Sequence, residues 1–377
     1  MSFDPVKFSQ AIGSIHSKIP LPELNAKLRE LLLPSAGSWF KISQVLTDLA
    51  NAKLTTAQED SLVKLLAWIE AYISYSHKVV TIFNLGKLSS SAVNTISNDF
   101  EHSLPRSNVL SNHPGGDYPV LASAAQAAGS SGRVIFRARR SYKYGEEFVF
   151  SSFKEYHVRE SVPLTQVDAA ALPKISPYYK LIGLKRVVFE HIDIIRFSNS
   201  SIGSGQGSIE FLLDGVKPGG STLNAEEISS RSQVYVAIVN KALAASGLSL
   251  PAPRNFYPAM DKIYNSKDGN ICELYFTTTI GGSVKREKMK KNTADLRAET
   301  WHAGGRVAIA SAAIPDSIDI YRLSVSWKLA FSPDEPILSI LGSYRALSTG
   351  AVEHALISGC TGPETFEHAF SQLVKYT

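Results

Sequence analysis

The 377-residue sequence has only two cysteines, Cys272 and Cys360. Neither has a second cysteine or a histidine at ligand spacing, so neither a disulfide framework nor a zinc site is expected. No stretch of about 18 uncharged apolar residues occurs, and no membrane-crossing helix is expected. The longest helical candidate is interrupted by Lys64 and Glu70. The opening MSFDPVKFSQAIG lacks an apolar h-region, so a secretory signal is not expected. An excess of one charge is also missing: 39 basic and 34 acidic residues leave a net +5. That balance permits a polyanionic partner without demanding one. With 44% hydrophobic and 19% charged residues, the chain has material for a sizeable core and does not resemble a disordered protein. These absences describe a soluble protein of a reducing compartment, with room for peripheral membrane contact.

Catalytic motifs are missing too. SIGSGQGS (201–208) has three glycines but lacks the G-K-[ST] ending of a phosphate loop, and it leads into a strand rather than a helix. A hairpin connection is the expectation there. H-E-x-x-H, G-x-S-x-G and H-x-E…C-x-x-C do not occur. His191 and Asp193 alternate with Glu190 and Ile192 along one strand, so they share a face, but no nucleophile accompanies them. No catalytic residue, metal or cofactor is expected, and the chain reads as a non-enzyme. An enzyme with a jelly-roll or lectin-like sugar site would need paired carboxylates, and no pair suggests itself.

What is present divides by texture. Residues 1–104 read as helical, most clearly TTAQEDSLVKLLAWIEAYI (55–73), with Thr56 as N-cap and Glu59 completing a capping box. LPELNAKLRELLLP (21–34) gives a shorter helix. Residues 105–132 are rich in Pro, Gly, Ser and Ala and read as a linker. From 133 to 350 the texture is β, with candidate strands at 133–139, 147–153, 154–160, 184–195, 208–214, 233–239, 272–280, 305–314 and 321–331. A closing helix is expected within 351–377, at TFEHAFSQLVKY. The expected fold is α+β: an antiparallel jelly-roll-like β-sandwich with a helical N-terminal region and a C-terminal helix. A helical layer covering an open sheet edge or face is the expected role of the N-terminal helices.

GQGSIEFLLDGVKPGG (205–220) poses a choice for Asp214: an acid at a site, or the end of a strand. Ile209, Phe211 and Leu213 share one face, and Glu210, Leu212 and Asp214 the other. Leu212 makes both faces apolar in part, which suits a strand covered on both sides and ending at an Asp-Gly turn. The order of strands around LKRVVFEHIDIIRFSNSSIGSGQGSIEFLLDGVKPGG resembles the central region of the plant-virus 30K movement-protein superfamily. The Leu-x-Asp landmark is Leu212-Leu213-Asp214, and Gly269 and Gly281 fall in the window for the later glycine. HVRESVPLTQVDAAALPKI is similar to the segment before the first core strands, and LSVSWKLAFSPDE to the closing strand. The resemblance covers roughly 150–335 and leaves the N-terminal helices unexplained. It implies a jelly-roll-like domain that binds single-stranded RNA without sequence preference, self-associates and acts in host cytoplasm and plasmodesmata, in contact with membrane or plasmodesmal proteins.

Two stretches offer cations for such a partner. In GRVIFRARRSYKYGEEFVFSSFKEYHVRE (132–160), simple alternation puts Arg133, Arg137, Arg139 and Lys143 on one face. KREKMKK (285–291) holds Lys285, Arg286, Lys288, Lys290 and Lys291 in an expected turn-rich loop, with Arg297, His302 and Arg306 extending the patch. Phosphate contacts of this kind give salt-dependent affinity without sequence preference. A capsid subunit with a jelly-roll shell is the alternative. Residues 1–30 hold only Lys7, Lys18, Lys27 and Arg29, which is little for a genome-holding basic arm.

Overall fold

The computed structural model describes residues 3–86, 90–104, 116–162, 182–199, 207–278, 282–290, 294–311 and 317–377. It opens with four helices: α1 (Pro5–Ser14), α2 (Leu21–Glu30), α3 (Trp39–Asn51) and α4 (Thr56–Tyr75). The cap of α4 is Thr55, one residue earlier than expected, with Gln58 closing the capping box. Strand β1 (His77–Gly86) follows α4 after a single residue, Ser76. Helices α5 (Ser90–Ser103) and α6 (Ala124–Ala128) precede β2 (Val134–Tyr142), β3 (Gly145–Ser161), β4 (Ile182–Ser198) and β5 (Gly207–Asp214). Then come α7 (Ala225–Leu243), α8 (Tyr257–Asn265), β6 (Asn270–Thr278), β7 (Val284–Lys288), α9 (Thr300–Ser311), β8 (Ile318–Ser326), β9 (Ile337–Ile340), α10 (Ala346–Thr349), β10 (Ala355–Ser358) and α11 (Pro363–Tyr376).

The described strands form one ladder in the order β2-β3-β4-β5-β1-β10-β9-β8-β6-β7. Every neighbouring pair is antiparallel. The α+β class holds, but where a sandwich would set a second sheet, helices lie against this one. Side chains alternate between two apolar layers. One face carries Val80, Ile82, Ile192, Ile194, Leu212, Leu274, Leu323 and Ile357 and packs on α1–α4, α8 and α11. The other carries Val79, Phe83, Phe148, Phe150, Ile195, Phe197, Phe211 and Leu213 and packs on α5 and α7. Phe100 of α5 makes ring contacts at 4.9 Å with Phe148 and 5.1 Å with Phe197. Such pairs add about 0.5–1.5 kcal/mol each beyond their burial.

Several expectations change. The segment 1–104 is not wholly helical: β1 joins β5 to β10 at the middle of the sheet. Residues 147–160 are one long strand. QVYVAIV (233–239) lies inside α7, where Asn224 and Glu227 form a capping box and Ile228, Tyr235, Val239 and Ala242 share the buried side. The capping box and the burial of Tyr235 and Val239 against the sheet outweigh the β-preference of Val234, Val236 and Ile238, of which Val234 is 45% exposed. The described part of GRVAIASAAI belongs to α9, and KREKMKK begins as edge strand β7 rather than a loop. Strands β4 and β5 are adjacent and antiparallel, as a hairpin connection at 201–208 requires; residues 201–206 of that segment, like 163–175 of HVRESVPLTQVDAAALPKI, lie outside the described residues.

Candidate nucleic-acid interface

The cations expected on β2 do not share a face. The β2–β3 register shifts between Phe136 and Ala138. A bulge of this kind reverses the alternation beyond it. Arg137 stays on the face of Ile135 and Ser151, and Arg139 is the one reversed. Arg137 is 1% exposed, and its guanidinium binds Glu190 at 3.0 Å, Ser151 at 2.8 Å and the carbonyls of Gly116 and Val120. Arg139 turns the other way, onto the Phe148 ring, and is held by Glu101 at 2.7 Å and Glu146 at 3.2 Å. Arg137 cannot reach a nucleic acid, and Arg139 is already neutralised. Arg133 and Lys143 are exposed at the two ends of the strand.

Asp214 ends β5 and is followed by Gly215, and it does more than close a turn. Its carboxylate receives Lys18 Nζ at 2.6 Å, with the amides of Ile192 and Val216 at 3.3 Å. Burial opposes its ionisation, yet Lys18 and Lys78 hold its carboxyl well below the usual range. Lys18 comes from the turn after α1, so Asp214 ties the helical layer to the sheet. Lys78, its cross-strand partner, donates to the Ile192 carbonyl at 2.6 Å, and burial pulls its ammonium down to about 8. Asp193 lies on the opposite face, beneath α7, taking Arg231, Tyr235, Ser152 and the Asp214 amide. His191 is fully buried against Tyr156; burial, then Arg231, pushes its pKa down to about 3. The carboxylate oxygens of Asp193 and Asp214 are all occupied by the fold's own donors, an arrangement for holding elements together.

The two landmark residues beside Asp214 are structural as well. Leu212 is 0% exposed in the core. Gly269 has φ +70°, and a Cβ there would meet Val325 at 2.7 Å, Trp327 Nε1 at 2.8 Å and the Ser326 carbonyl at 2.9 Å. Gly281 lies outside the described residues.

The second cationic stretch is different. Strand β7 is the sheet's last strand and pairs only with β6 among the described strands. Lys285, Arg286, Lys288 and Lys290 are exposed; Lys291 lies outside the described residues. Alternation sorts the cations of β7. Lys285 stands opposite Phe276 and shares the face of α9, where Glu287 binds His302 at 2.7 Å. Arg286 and Lys288 stand opposite Tyr275 and Glu273 on the other face. Arg286 and Lys288 are exposed there, whereas Tyr275 and Arg322 are half-buried, with the Tyr275 ring edge-on to buried Tyr321 at 6.0 Å. There Arg286 and Arg322, the register partners of Tyr275 on either side, bring their guanidinium carbons to 5.3 and 5.2 Å from its ring centre. Glu273 sits beside the row, 3.6 Å from Arg322 and 3.8 Å from Lys288.

Sequence reading missed Tyr275 and Arg322. In CELYF, alternation alone sends Leu274 and Phe276 inward and Tyr275 outward, but only strand pairing shows that two arginines flank it. The expected extension of the patch changes as well. His302 is buried against Tyr264, Arg297 is bound to Asp295 and to the Gly269 carbonyl, and Arg306 donates to Tyr264 at 2.7 Å. Among the described residues no cluster of His, Cys, Asp or Glu fits a metal ion, and no helix is long and apolar enough to cross a membrane. Comparison with family models, with curated proteins and with solved structures found no match.

Proposed function

We propose that the chain is a non-enzymatic protein that binds single-stranded nucleic acid without sequence preference. In this reading it acts as a cell-to-cell movement protein of the superfamily its central region resembles, in host cytoplasm and at plasmodesmata. The jelly-roll kinship belongs to the same proposal and rests on the all-antiparallel strand set, arranged here as one ladder. The observation that supports binding is the Arg286–Tyr275–Arg322 row beside Lys288 at the edge of the sheet, where both arginines lie over the half-buried phenol ring and Arg286 and Lys288 are exposed. Guanidinium planes and a phenol ring can stack on any base, at roughly 1–3 kcal/mol per base, and only unpaired bases are free to do so. The neighbouring cations neutralise phosphates and release counterions.

The test is affinity for labelled single-stranded and duplex oligonucleotides across a salt series. The single strand is expected to bind more tightly, with log affinity falling linearly as log salt rises. Neutralising three contacts in Arg286→Gln/Lys288→Gln/Arg322→Gln should flatten that slope by about 2, at roughly 0.7 per contact for single strands. An unchanged slope and affinity in the triple variant would remove this face from the proposal.

A further inference from the structure

A cleft of about 780 Å³ opens where the helical layer meets one end of the sheet. That volume is in the range of small-molecule sites. The turn after α1, one side of α2, the end of α4, the start of β1 and the loops around Asp334 and Cys360 line it. One wall is aromatic. Trp68 and Tyr72 are one turn apart on α4, with ring centres 5.3 Å apart. Burial, then a hydrogen bond to Glu23 of α2, raises the Tyr72 phenol, so α2 and α4 meet at the cleft. The α2 wall is polar. Glu23, Ala26, Lys27 and Glu30 follow the spacing of one helix face. Glu23 and Glu30 are thus two turns, about 10 Å, apart along the helix.

The charges of the cleft favour a cation. Glu23, Glu30 and Asp334 line it against Lys18 and Lys27. Both lysines are already answered, Lys18 by Asp214 at 2.6 Å and Lys27 by one oxygen of Glu30 at 2.7 Å. Asp334 takes the hydroxyls of Thr361 and Thr365 and the Thr361 amide. Among the described residues no cation pairs with Glu23. Counting Asp214 behind Lys18, four acids face two lysines, in a chain whose net charge is +5. Burial lowers the pKa of His77 and so keeps its imidazole uncharged. Helix α4 ends at the cleft with no basic residue in its last turn, which leaves the negative end of its dipole unanswered. Aromatic rings beside carboxylates hold organic ammonium ions. No cluster among the described residues fits a metal ion, which leaves an organic cation as the guest.

We propose that this cleft binds a linear polyamine, with ammonium groups at Glu23 and Glu30 and the methylene chain along Trp68 and Tyr72. A chain of methylenes with an ammonium at each end matches two carboxylates spaced along one wall. Elements of both the helical layer and the sheet line the cleft, so a bound polyamine fastens one to the other. The site shares no residue with the Tyr275 row.

The test is calorimetric titration of the full chain, free of nucleic acid, with spermidine. Saturable binding at one site per chain is expected, and the thermal unfolding midpoint should rise with spermidine. Glu23→Gln, at an exposed position, should weaken binding roughly tenfold. Ala26→Trp, also exposed, should fill the cleft and abolish binding. Both variants should keep the unfolding midpoint of the ligand-free protein, and Arg286→Gln/Arg322→Gln should keep the spermidine affinity. A neutral diol of the same chain length should not bind. Absence of saturable binding overturns the proposal, as does wild-type affinity in either Glu23→Gln or Ala26→Trp. Equal binding of the diol would overturn the choice of a cation. Full displacement of spermidine by magnesium at matched ionic strength would overturn it too, by reducing the contact to a loose counterion.

Discussion

The two outermost strands of the sheet, β2 and β7, are both basic, and they use their cations in opposite ways. On β2, acids from neighbouring elements meet the arginines: Glu190 of β4 for Arg137, Glu101 of α5 and Glu146 of β3 for Arg139, Glu70 of α4 and Glu147 of β3 for Arg140. On β7, Arg286, Lys288 and Lys285 face a β6 whose one acid is Glu273, and all three are exposed. The lesson concerns charge in sequence. A run of cations on an edge strand stays exposed to a polyanion only where the adjoining strands and helices lack acids to answer it. Where they have them, the same residues become internal fasteners.

The largest way to break this comparison is at Arg137. Arg137→Ala deletes a buried guanidinium that pairs with Glu190 at 3.0 Å and donates to two carbonyls. Breaking a buried pair from one side costs about 3–5 kcal/mol. Arg286→Ala, on the exposed edge, should stay within about 0.5 kcal/mol. Urea unfolding of both variants measures the difference. Equal midpoints would erase the distinction between the two edges.

Glu210 sharpens the same contrast through pH. It stands on β5 near Arg196, but its Oε1 takes Ser198 and Ser208 while its Oε2 lies 3.9 Å from the guanidinium, which Glu147 engages at 2.7 Å. Burial pushes its carboxyl up from 4.5 to about 7, against the pull of Arg196. With the folded value raised, the contribution to stability is fully present below pH 4.5 and is lost as pH rises through about 7. The shift corresponds to roughly 3 kcal/mol. Glu210→Gln should match the wild type near pH 4.5 and exceed it above pH 7. Parallel stability profiles for the two proteins would show that Glu210 is ionised in the fold.

How much of this was legible in the sequence depended on the distance over which each signal acts. The 3.6-residue stripe of α4 and the alternation of β5 are local, and both were readable. The cap at Asn224–Glu227 was equally local, and it outweighs the β-prone QVYVAIV that follows it. Strand β1 was hidden because it follows α4 with one intervening residue, Ser76, and no glycine or proline to mark the change. The bulge at Phe136/Ala138 leaves no mark in composition, so simple alternation set Arg137 beside Arg139. Tyr275 could be placed outward from CELYF alone. Its arginine neighbours sit 11 and 47 positions away and meet it only through register.

Arg139 lies between the two extremes and gives the smallest expected effect. Its side chain is 27% exposed, with three partners: Glu101, Glu146 and the Asn98 side-chain oxygen. Such partly exposed pairs contribute about 0.2–1 kcal/mol and weaken as salt screens them. Arg139→Gln should therefore lower stability by less than about 1 kcal/mol at low salt, and the loss should shrink at high salt. The oligonucleotide affinity should not move, because this guanidinium is spent on Glu101 and Glu146. A fall in affinity comparable to that of the β7 variants would mean that nucleic acid draws Arg139 away from its acids, and the two edges would then form one binding surface instead of two opposed solutions.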